Sequence, residues 1–265
     1  MKSPMSRGAP ARGAGGRAAG VGHAPRPAGG VKKPAPVHEA WAPEAWAERI
    51  PAVLASVGLT ASDAQVQALA RYMALLQRWN ATYNLTALRS PEDMLSHHLA
   101  DCLVVVEPLR QHLGLNSAQA QAVPPRFKLL DVGSGGGLPG VVLAILCPAI
   151  AVSCVDTVGK KAAFIRQVGA ELGLGNLRAE HARVEQLPGQ FDVVASRAFA
   201  SLPDFTSWTR ERLNPAGGVW MAMKGKHPED ELQALPAFVK VLRTEALSVP
   251  GLDAERCIVW MTAIP

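Results

Sequence analysis

The chain of 265 residues is 48% hydrophobic and 18% charged, which excludes a wholly disordered protein and indicates an enzyme-sized globular core. Its net charge of +5 suggests an anionic partner, but the charge is unevenly distributed. Residues 1–40 carry seven basic side chains and one acidic side chain, whereas the remaining 225 residues carry 20 basic and 21 acidic groups. Nucleic-acid binding by the folded part must therefore be argued from a site and not from net charge.

Residues 1–38 are predicted to be a disordered basic tail rich in Gly, Ala, Pro and Arg. Valine is their only branched aliphatic residue and they contain no aromatic residue, so they cannot bury enough surface to offset the entropy of ordering. An Arg-rich, acid-poor leader could also be an organelle transit peptide, but its Gly and Pro content disfavours the amphipathic helix that such leaders form. A start codon placed too far upstream would give the same appearance.

Residues 39–120 are predicted to form an N-terminal helical region. Thr60 with Asp63 resembles a capping box, and Ser90 followed by a proline indicates a second helix that runs to about Leu113. The intervening segment, from Trp79 to Thr86, is predicted to be a loop rich in hydrogen-bonding side chains.

After residue 120 short apolar runs alternate with helical segments, which is typical of a parallel sheet with crossover helices. We therefore predict an α/β fold with a doubly wound sheet that is mostly parallel and ends in an antiparallel strand. The predicted strands lie near Phe127–Leu130, Ala149–Val155, Asn176–Glu180, Phe191–Ala195, Gly218–Met223, Arg243–Leu247 and Cys257–Ala263.

An apolar run of eighteen residues, Leu138–Val155, reaches the threshold length of a membrane span. Pro148 interrupts it, so we interpret it as a helix followed by a buried strand, and no secretory signal is visible. The four cysteines form no CxxC pair and have no histidine at a metal-ligand interval. The sequence therefore predicts a cytoplasmic protein without a membrane span, with reduced cysteines and no metal.

A glycine-rich loop, residues 133–140, follows the first predicted strand and leads into an apolar helix. Such a loop lets a ligand approach the backbone and the unpaired N–H groups of the helix. Its glycines satisfy GxGxxG, which favours a dinucleotide and an NAD-dependent oxidoreductase. Asp131, however, would repel a pyrophosphate and suits the ammonium group of a sulfonium amino acid, while Asp156 is placed for ribose hydroxyls. The alternative is that Asp131 caps the helix and Asp156 starts a turn.

Several polar residues outside the loop are candidates for RNA contacts, each with a purely structural alternative. Asn80, Tyr83 and Asn84 fit a splayed-out base, or else shape a polar turn. His98 lies one helical turn from Asp101 and can contact it, although a histidine there is equally consistent with a packed core residue. His97 is expected at the surface. A basic rim for phosphates is predicted from Lys160, Lys161, Arg197, Lys224 and Lys226, with a solvated surface the preferred interpretation for Lys226.

Taken together and in this order, several short motifs resemble the RsmG (GidB) family. They are Trp79-Asn80, Tyr83-Asn84-Leu85-Thr86, His98 with Asp101, the glycine loop, Lys160-Lys161, Arg183-Val184-Glu185 and Ser196-Arg197-Ala198. The similarity extends from about Val66 to the carboxyl terminus. Cys102 departs from the usual serine, and Gly136 occupies a position that varies.

This resemblance implies a class I methyltransferase that uses S-adenosylmethionine to modify N7 of one guanosine in bacterial 16S ribosomal RNA. It implies an S-adenosylmethionine-binding domain over residues 121–265, an N-terminal helical cap, and a cytoplasmic monomer that acts on small-subunit RNA or the 30S particle. The remaining alternatives are the oxidoreductase and a non-catalytic RNA-binding assembly factor with a methyltransferase fold.

The resemblance also assigns roles to residues. Gly133, Leu138, Val184, Glu185 and Arg197 would contact the cofactor. The glycine loop adds Ser134 and Gly135 to these candidates, and the end of the second strand adds Asp156. Arg197 is the catalytic candidate, although an ion pair with a nearby carboxylate is its structural alternative. Because the N7 lone pair carries no proton, no general base is needed, and Arg197 must leave N7 free. It is therefore expected to hold guanine O6, a phosphate or the cofactor carboxylate.

Overall fold

The structure, a computed structural model, describes residues 40–264, and the predicted tail over residues 1–38 lies outside them. The helices are α1 (Pro43–Ser56), α2 (Asp63–Tyr83), α3 (Pro91–Met94), α4 (Asp101–Leu103), α5 (Val106–His112), α6 (Gly140–Leu146), α7 (Gly159–Leu172), α8 (Leu202–Thr209) and α9 (Glu229–Gln233). The strands are β1 (Phe127–Val132), β2 (Ile150–Asp156), β3 (Leu177–His181), β4 (Val193–Arg197), β5 (Val219–Lys224), β6 (Val239–Leu247) and β7 (Arg256–Ala263).

Helix α2 begins at a capping box, but the prediction that Thr60 and Asp63 form it is wrong. The Ser62 hydroxyl accepts a hydrogen bond from the Gln65 amide at 3.3 Å, and the Gln65 side chain accepts one from the Ser62 amide at 3.1 Å. This pair satisfies two backbone donors at the helix start. Helix α2 also continues to Tyr83, further than predicted, and Asn84 ends it in a left-handed conformation with φ of 51°.

The helical segment after Ser90 starts as predicted, because the Ser90 hydroxyl accepts a hydrogen bond from the Asp93 amide at 3.0 Å. It is not a uniform α-helix, however. A π-helical turn over Leu95–Ala100 separates α3 from α4, and α5 ends at His112. Such turns are rare and often occur at functional sites. This one carries His97 and His98.

The seven strands form one sheet in the order β3-β2-β1-β4-β5-β7-β6. Strands β1 to β5 pair in parallel, and β7 lies antiparallel between β5 and β6. The predicted doubly wound sheet with an antiparallel carboxyl-terminal strand is therefore confirmed. Val132 of β1 is opposite Val155 of β2 and Ser196 of β4. The carboxyl ends of these strands, where open α/β sheets bind ligands, thus meet at one edge.

Two hydrophobic clusters cover the two faces of the sheet. Along β1, Leu129 belongs to the first cluster and Leu130 to the second, as expected for successive strand residues. The first cluster also contains Trp46 of α1, Leu69 of α2 and Phe164 of α7, so the amino-terminal helices share a core with the sheet. The second lies beneath α8.

The apolar run of residues 138–155 contains helix α6 and most of the buried strand β2, as predicted. Within residues 40–264, none of the helices combines the length and hydropathy that a bilayer crossing requires. All four cysteines are free and buried, as expected for thiols that pack as small hydrophobic groups. Burial raises the pKa of the Cys102 thiol to about 12.

Candidate functional site

The glycine loop connects β1 to α6 in a conformation that side chains would obstruct. Gly133 and Gly137 have φ of 68° and 85°, in the left-handed region that favours glycine. A Cβ atom on Gly137 would lie 2.5 Å from the Val141 side chain, and one on Gly133 would clash with the ring of Phe199. The loop backbone is therefore closely packed at these glycines. A ligand at the loop would contact main-chain atoms.

Asp131 supports this loop from inside the protein. Its side chain is fully buried, and its Oδ2 atom accepts a hydrogen bond from the amide of Gly140, the first residue of α6, at 2.9 Å. Burial raises the pKa of this carboxyl to about 7, although the Gly140 amide opposes the shift. Asp131 thus caps α6, which is the alternative that the sequence left open, and it is not among the residues that line the adjacent cavity.

A cavity of about 630 Å³ opens at the carboxyl ends of β1, β2 and β4 and beside the turn after β3. It is lined by Val132, Gly133, Val155, Asp156, Thr157, Val158, Lys161, Ala182, Arg183, Val184, Glu185, Ala198, Phe199 and Trp208. We call it the loop cavity. Among the predicted cofactor residues, it brings together Gly133, Asp156, Val184 and Glu185.

Asp156 is held in place at the floor of the loop cavity. Its Oδ2 atom accepts a hydrogen bond from the Gly135 amide at 3.1 Å and lies 3.5 Å from the Lys161 ammonium group. Its Oδ1 atom accepts one from the Val158 amide at 2.8 Å. Because each carboxylate oxygen has two lone pairs, these contacts leave acceptor capacity for ligand hydroxyl groups.

Three other predicted site residues, Ser134, Leu138 and Lys160, are not among the residues that line the loop cavity. Ser134 and Leu138, both within the loop, are buried, with 3% and 4% of their surface exposed, so their side chains contribute packing. Lys160 is exposed, whereas Lys161 pairs with Asp156 and lines the loop cavity.

A second cavity of about 280 Å³ adjoins the first, and Ala198 lines both. It is lined by His97, Asp101, Arg197, Ala198, Met223, Lys224, Gly225, Leu247, Arg256 and Cys257. We call it the arginine cavity. Arg197, predicted for the cofactor site, lines this cavity and is not among the residues that line the loop cavity.

Two arginines share one buried carboxylate in the arginine cavity. Arg197 Nη1 donates to Asp101 Oδ2 at 3.0 Å, and Arg256 Nε donates to Asp101 Oδ1 at 2.7 Å. Arg197 therefore makes the ion pair that was its structural alternative, but the three groups retain a net charge of +1. Lys224 is neutralised by Glu231 at 2.7 Å. Sequence reasoning missed Arg256, because 155 residues separate it from its partner.

The predicted RNA-binding asparagines hold the polar loop after α2. Asn80 is buried; its amide donates to the Leu88 carbonyl and its carbonyl accepts from the Thr86 amide. Asn84 accepts a hydrogen bond from the Arg89 side chain. Tyr83 is 43% exposed and lies 5.0 Å from the ring of Trp79.

His98 connects this polar loop to the arginine cavity. Its Nε2 atom lies 2.5 Å from the Thr86 hydroxyl, and its Nδ1 atom lies 3.5 Å from Arg197 Nη2. Burial, together with the charge of Arg197, lowers the pKa of His98 to about 4, so the imidazole is neutral near pH 7. His97, expected at the surface, is half-buried, and its carbonyl accepts a hydrogen bond from Arg197 at 3.3 Å.

The chain is similar to proteins of one known family. A family model described as rRNA small subunit methyltransferase G (GidB) matches residues 65–259. The chain is 59% identical over 209 residues to the ribosomal RNA small subunit methyltransferase G of Acidovorax sp. (strain JS42), covering 79% of this chain and 92% of that protein. It is 58% identical over 208 residues to the protein of the same name from Paracidovorax citrulli (strain AAC00-1), covering 78% of this chain and 85% of that one.

Among solved structures, the chain is similar to magnesium protoporphyrin IX methyltransferase from Synechocystis PCC 6803 with bound SAM. The TM-score is 0.51 and the identity 14%, over 73% of this chain and 97% of that chain. At this identity the similarity concerns the fold alone. It confirms the predicted class I methyltransferase architecture.

Proposed function

The chain belongs to the rRNA small subunit methyltransferase G family, and we propose that it transfers a methyl group from S-adenosylmethionine to N7 of a guanosine in 16S ribosomal RNA. One observation carries the proposal: the family match over residues 65–259 includes every residue that lines the two adjoining cavities. A cofactor site and an acceptor site that share one wall are what a group-transfer enzyme needs.

The loop cavity fits S-adenosylmethionine. Its volume of about 630 Å³ lies within the range of small-molecule sites, roughly 300–1,000 Å³. We assign the free lone pairs of Asp156 to the ribose hydroxyls, Val184 and Glu185 to the adenine, and the backbone of Gly133 and Gly135 to the amino-acid part. The buried side chains of Ser134 and Leu138 are assigned to stabilising the loop conformation.

The chemistry requires positioning more than proton transfer. Bound S-adenosylmethionine supplies an electrophilic methyl group on a sulfonium. Transfer would form the N7–C bond as the C–S bond breaks, giving a cationic 7-methylguanine and a neutral thioether, so no residue of the chain would need to move a proton. The residues of the chain therefore act by orienting the two reactants and excluding water, effects that contribute roughly 7–11 kcal/mol in well-aligned systems.

The arginine cavity is suited to the acceptor nucleotide. Its surplus positive charge, from two arginines on the single carboxylate of Asp101, attracts a phosphate or the guanine O6 atom and leaves N7 free. Asn80 and His98 support this site through the hydrogen bonds that end at Arg197. Tyr83 and Asn84, at the exposed end of α2, and the exposed Lys160 are assigned to more distant RNA contacts, whereas Lys161 is assigned with Asp156 to the loop cavity.

The two alternatives receive less support. Dinucleotide-binding folds have the strand order 3-2-1-4-5-6, whereas here β7 is inserted antiparallel between β5 and β6. A non-catalytic assembly factor would not need a ligand-sized cavity beside the glycine loop. We further propose that residues 39–120 form a helical cap on a cofactor-binding domain over residues 121–265. Because both cavities are built by one chain, the protein is expected to work as a monomer, in the cytoplasm where small subunits are assembled.

The test is transfer of labelled methyl groups from S-adenosylmethionine to small-subunit ribosomal RNA and to 30S particles. We expect incorporation by the full chain, and a strong loss of turnover in Arg256→Ala with cofactor affinity unchanged. Arg243→Ala is the matched control, because this arginine lies on β6 and lines neither cavity. Stabilisation of the protein by NAD and not by S-adenosylhomocysteine would contradict the proposal.

A further inference from the structure

Two aromatic side chains that the sequence patterns did not single out form a wall of the loop cavity. Phe199 follows β4, and Trp208 lies on α8; their ring centroids are 5.9 Å apart with an interplanar angle of 77°. Trp208 is a large hydrophobic residue, yet 43% of its surface is exposed. An indole at the rim of a cavity, with one part packed and one part open, is available for a planar ligand.

The wall adjoins the glycine loop, and its helix contacts the turn after β3. The Phe199 ring packs directly against Gly133, at the glycine-loop end. Trp208 belongs to α8, which contacts the short turn Val184–Gln186, where the adenine is assigned. Trp208 and Val184 line the same cavity. The exposed indole therefore lines the same cavity as the turn to which the adenine is assigned.

We propose that Trp208 stacks on the adenine ring of the cofactor and contributes to the affinity of this site for adenine-containing ligands. The inference rests on the proposed function, since it deepens the cofactor site. Stacking covers apolar indole surface that water otherwise contacts, and it requires little ordering because Trp208 is already held against Phe199. Base–aromatic stacking contributes about 1–3 kcal/mol per base when the aromatic residue is replaced by alanine.

The test compares ligands that share the adenine. Calorimetric titration with S-adenosylhomocysteine and with 5′-methylthioadenosine should show affinity reduced about tenfold in Trp208→Ala, by a similar factor for both ligands. Trp208→Phe should retain most of the affinity, because a phenyl ring still offers a stacking face. Ligand binding should also quench tryptophan emission in the wild type, and Trp208→Phe should lose most of this change. The control is Leu242→Ala, a side chain of similar exposure, 42%, on β6.

The possible results distinguish failure of the proposed function from failure of the stacking proposal. If the wild-type protein binds neither adenine ligand, the proposed function fails. If the wild type binds both and Trp208→Ala binds them equally well, the stacking proposal is overturned while the function stands. Unchanged ligand affinity with weakened binding of small-subunit RNA would likewise overturn it and assign Trp208 to the RNA surface.

Discussion

Replacing Asp131 by asparagine should remove a specific dependence of stability on pH. Burial raises the pKa of this carboxyl to about 7 in the folded protein, whereas the unfolded value is near 3.8. The folded state therefore holds a proton that the unfolded state has released, and stability falls as pH rises from about 4 to about 7. Each pKa unit corresponds to roughly 1.4 kcal/mol. Between about pH 5 and pH 8, the wild type should lose about 3 kcal/mol relative to Asp131→Asn.

Urea unfolding at these two pH values measures the difference directly. Other titrating groups, including His98, are common to both proteins and cancel in the comparison. Asparagine can keep the hydrogen bond from the Gly140 amide through its carbonyl oxygen, so α6 remains capped. Parallel pH profiles for the two proteins would refute the assignment of a protonated, buried carboxyl beneath the glycine loop.

Three further predictions concern the loop and the arginine cavity. Gly140→Ala should cost about 1–3 kcal/mol in urea unfolding, because its Cβ atom would lie 2.5 Å from Cys154 Sγ and 2.8 Å from Asp131 Oδ2; wild-type stability would disprove the close packing. Gly135→Asp should fold but lose S-adenosylhomocysteine binding in calorimetry, since a side chain and a charge would enter the space beside the loop that is assigned to the ligand. Unchanged affinity would remove the loop from the site. Arg197→Ala should lower methyl transfer strongly with cofactor affinity retained. Arg197→Lys should restore little, because lysine cannot reproduce the planar guanidinium whose Nη1 donates to Asp101 while its Nη2 lies beside His98 Nδ1. Wild-type turnover in both variants would reduce Arg197 to a structural ion pair.

The sheet and the loop cavity could be predicted because their signals are local. Most strands contain a short apolar run, although β3 and β6 carry several charged side chains. The glycine loop and Val184-Glu185 follow strand ends, and Asp156 is the last residue of β2. Parallel strands bring their carboxyl ends to one edge, so residues that are distant in the sequence converge without any knowledge of packing. The same rule predicts that Arg197 lies at this edge. It does not predict which of the two cavities Arg197 lines.

The remaining features depend on contacts between distant segments. Asp131 could face a ligand or the helix, and only packing against Gly140 and Cys154 decides between them. The pairing of Asp101 with Arg256 depends on the position of β7 in the sheet. No local sequence spacing could predict it, because the two residues are 155 positions apart. The π-helical turn that carries His97 and His98 follows regular helical sequence, so a uniform helix was the natural expectation. Trp208 lies at a position in α8 that no motif marks.

The central claim is tested most directly by locating the methyl group on the RNA. Small-subunit ribosomal RNA treated with the purified protein and S-adenosylmethionine can be digested and mapped by mass spectrometry, with chain cleavage at 7-methylguanosine identifying the modified atom. We predict one additional methyl group, at N7 of one guanosine, whose appearance requires both Asp156 and Arg197. A methyl group on another atom or base, or an unmodified RNA under conditions in which the protein binds S-adenosylhomocysteine, would contradict it.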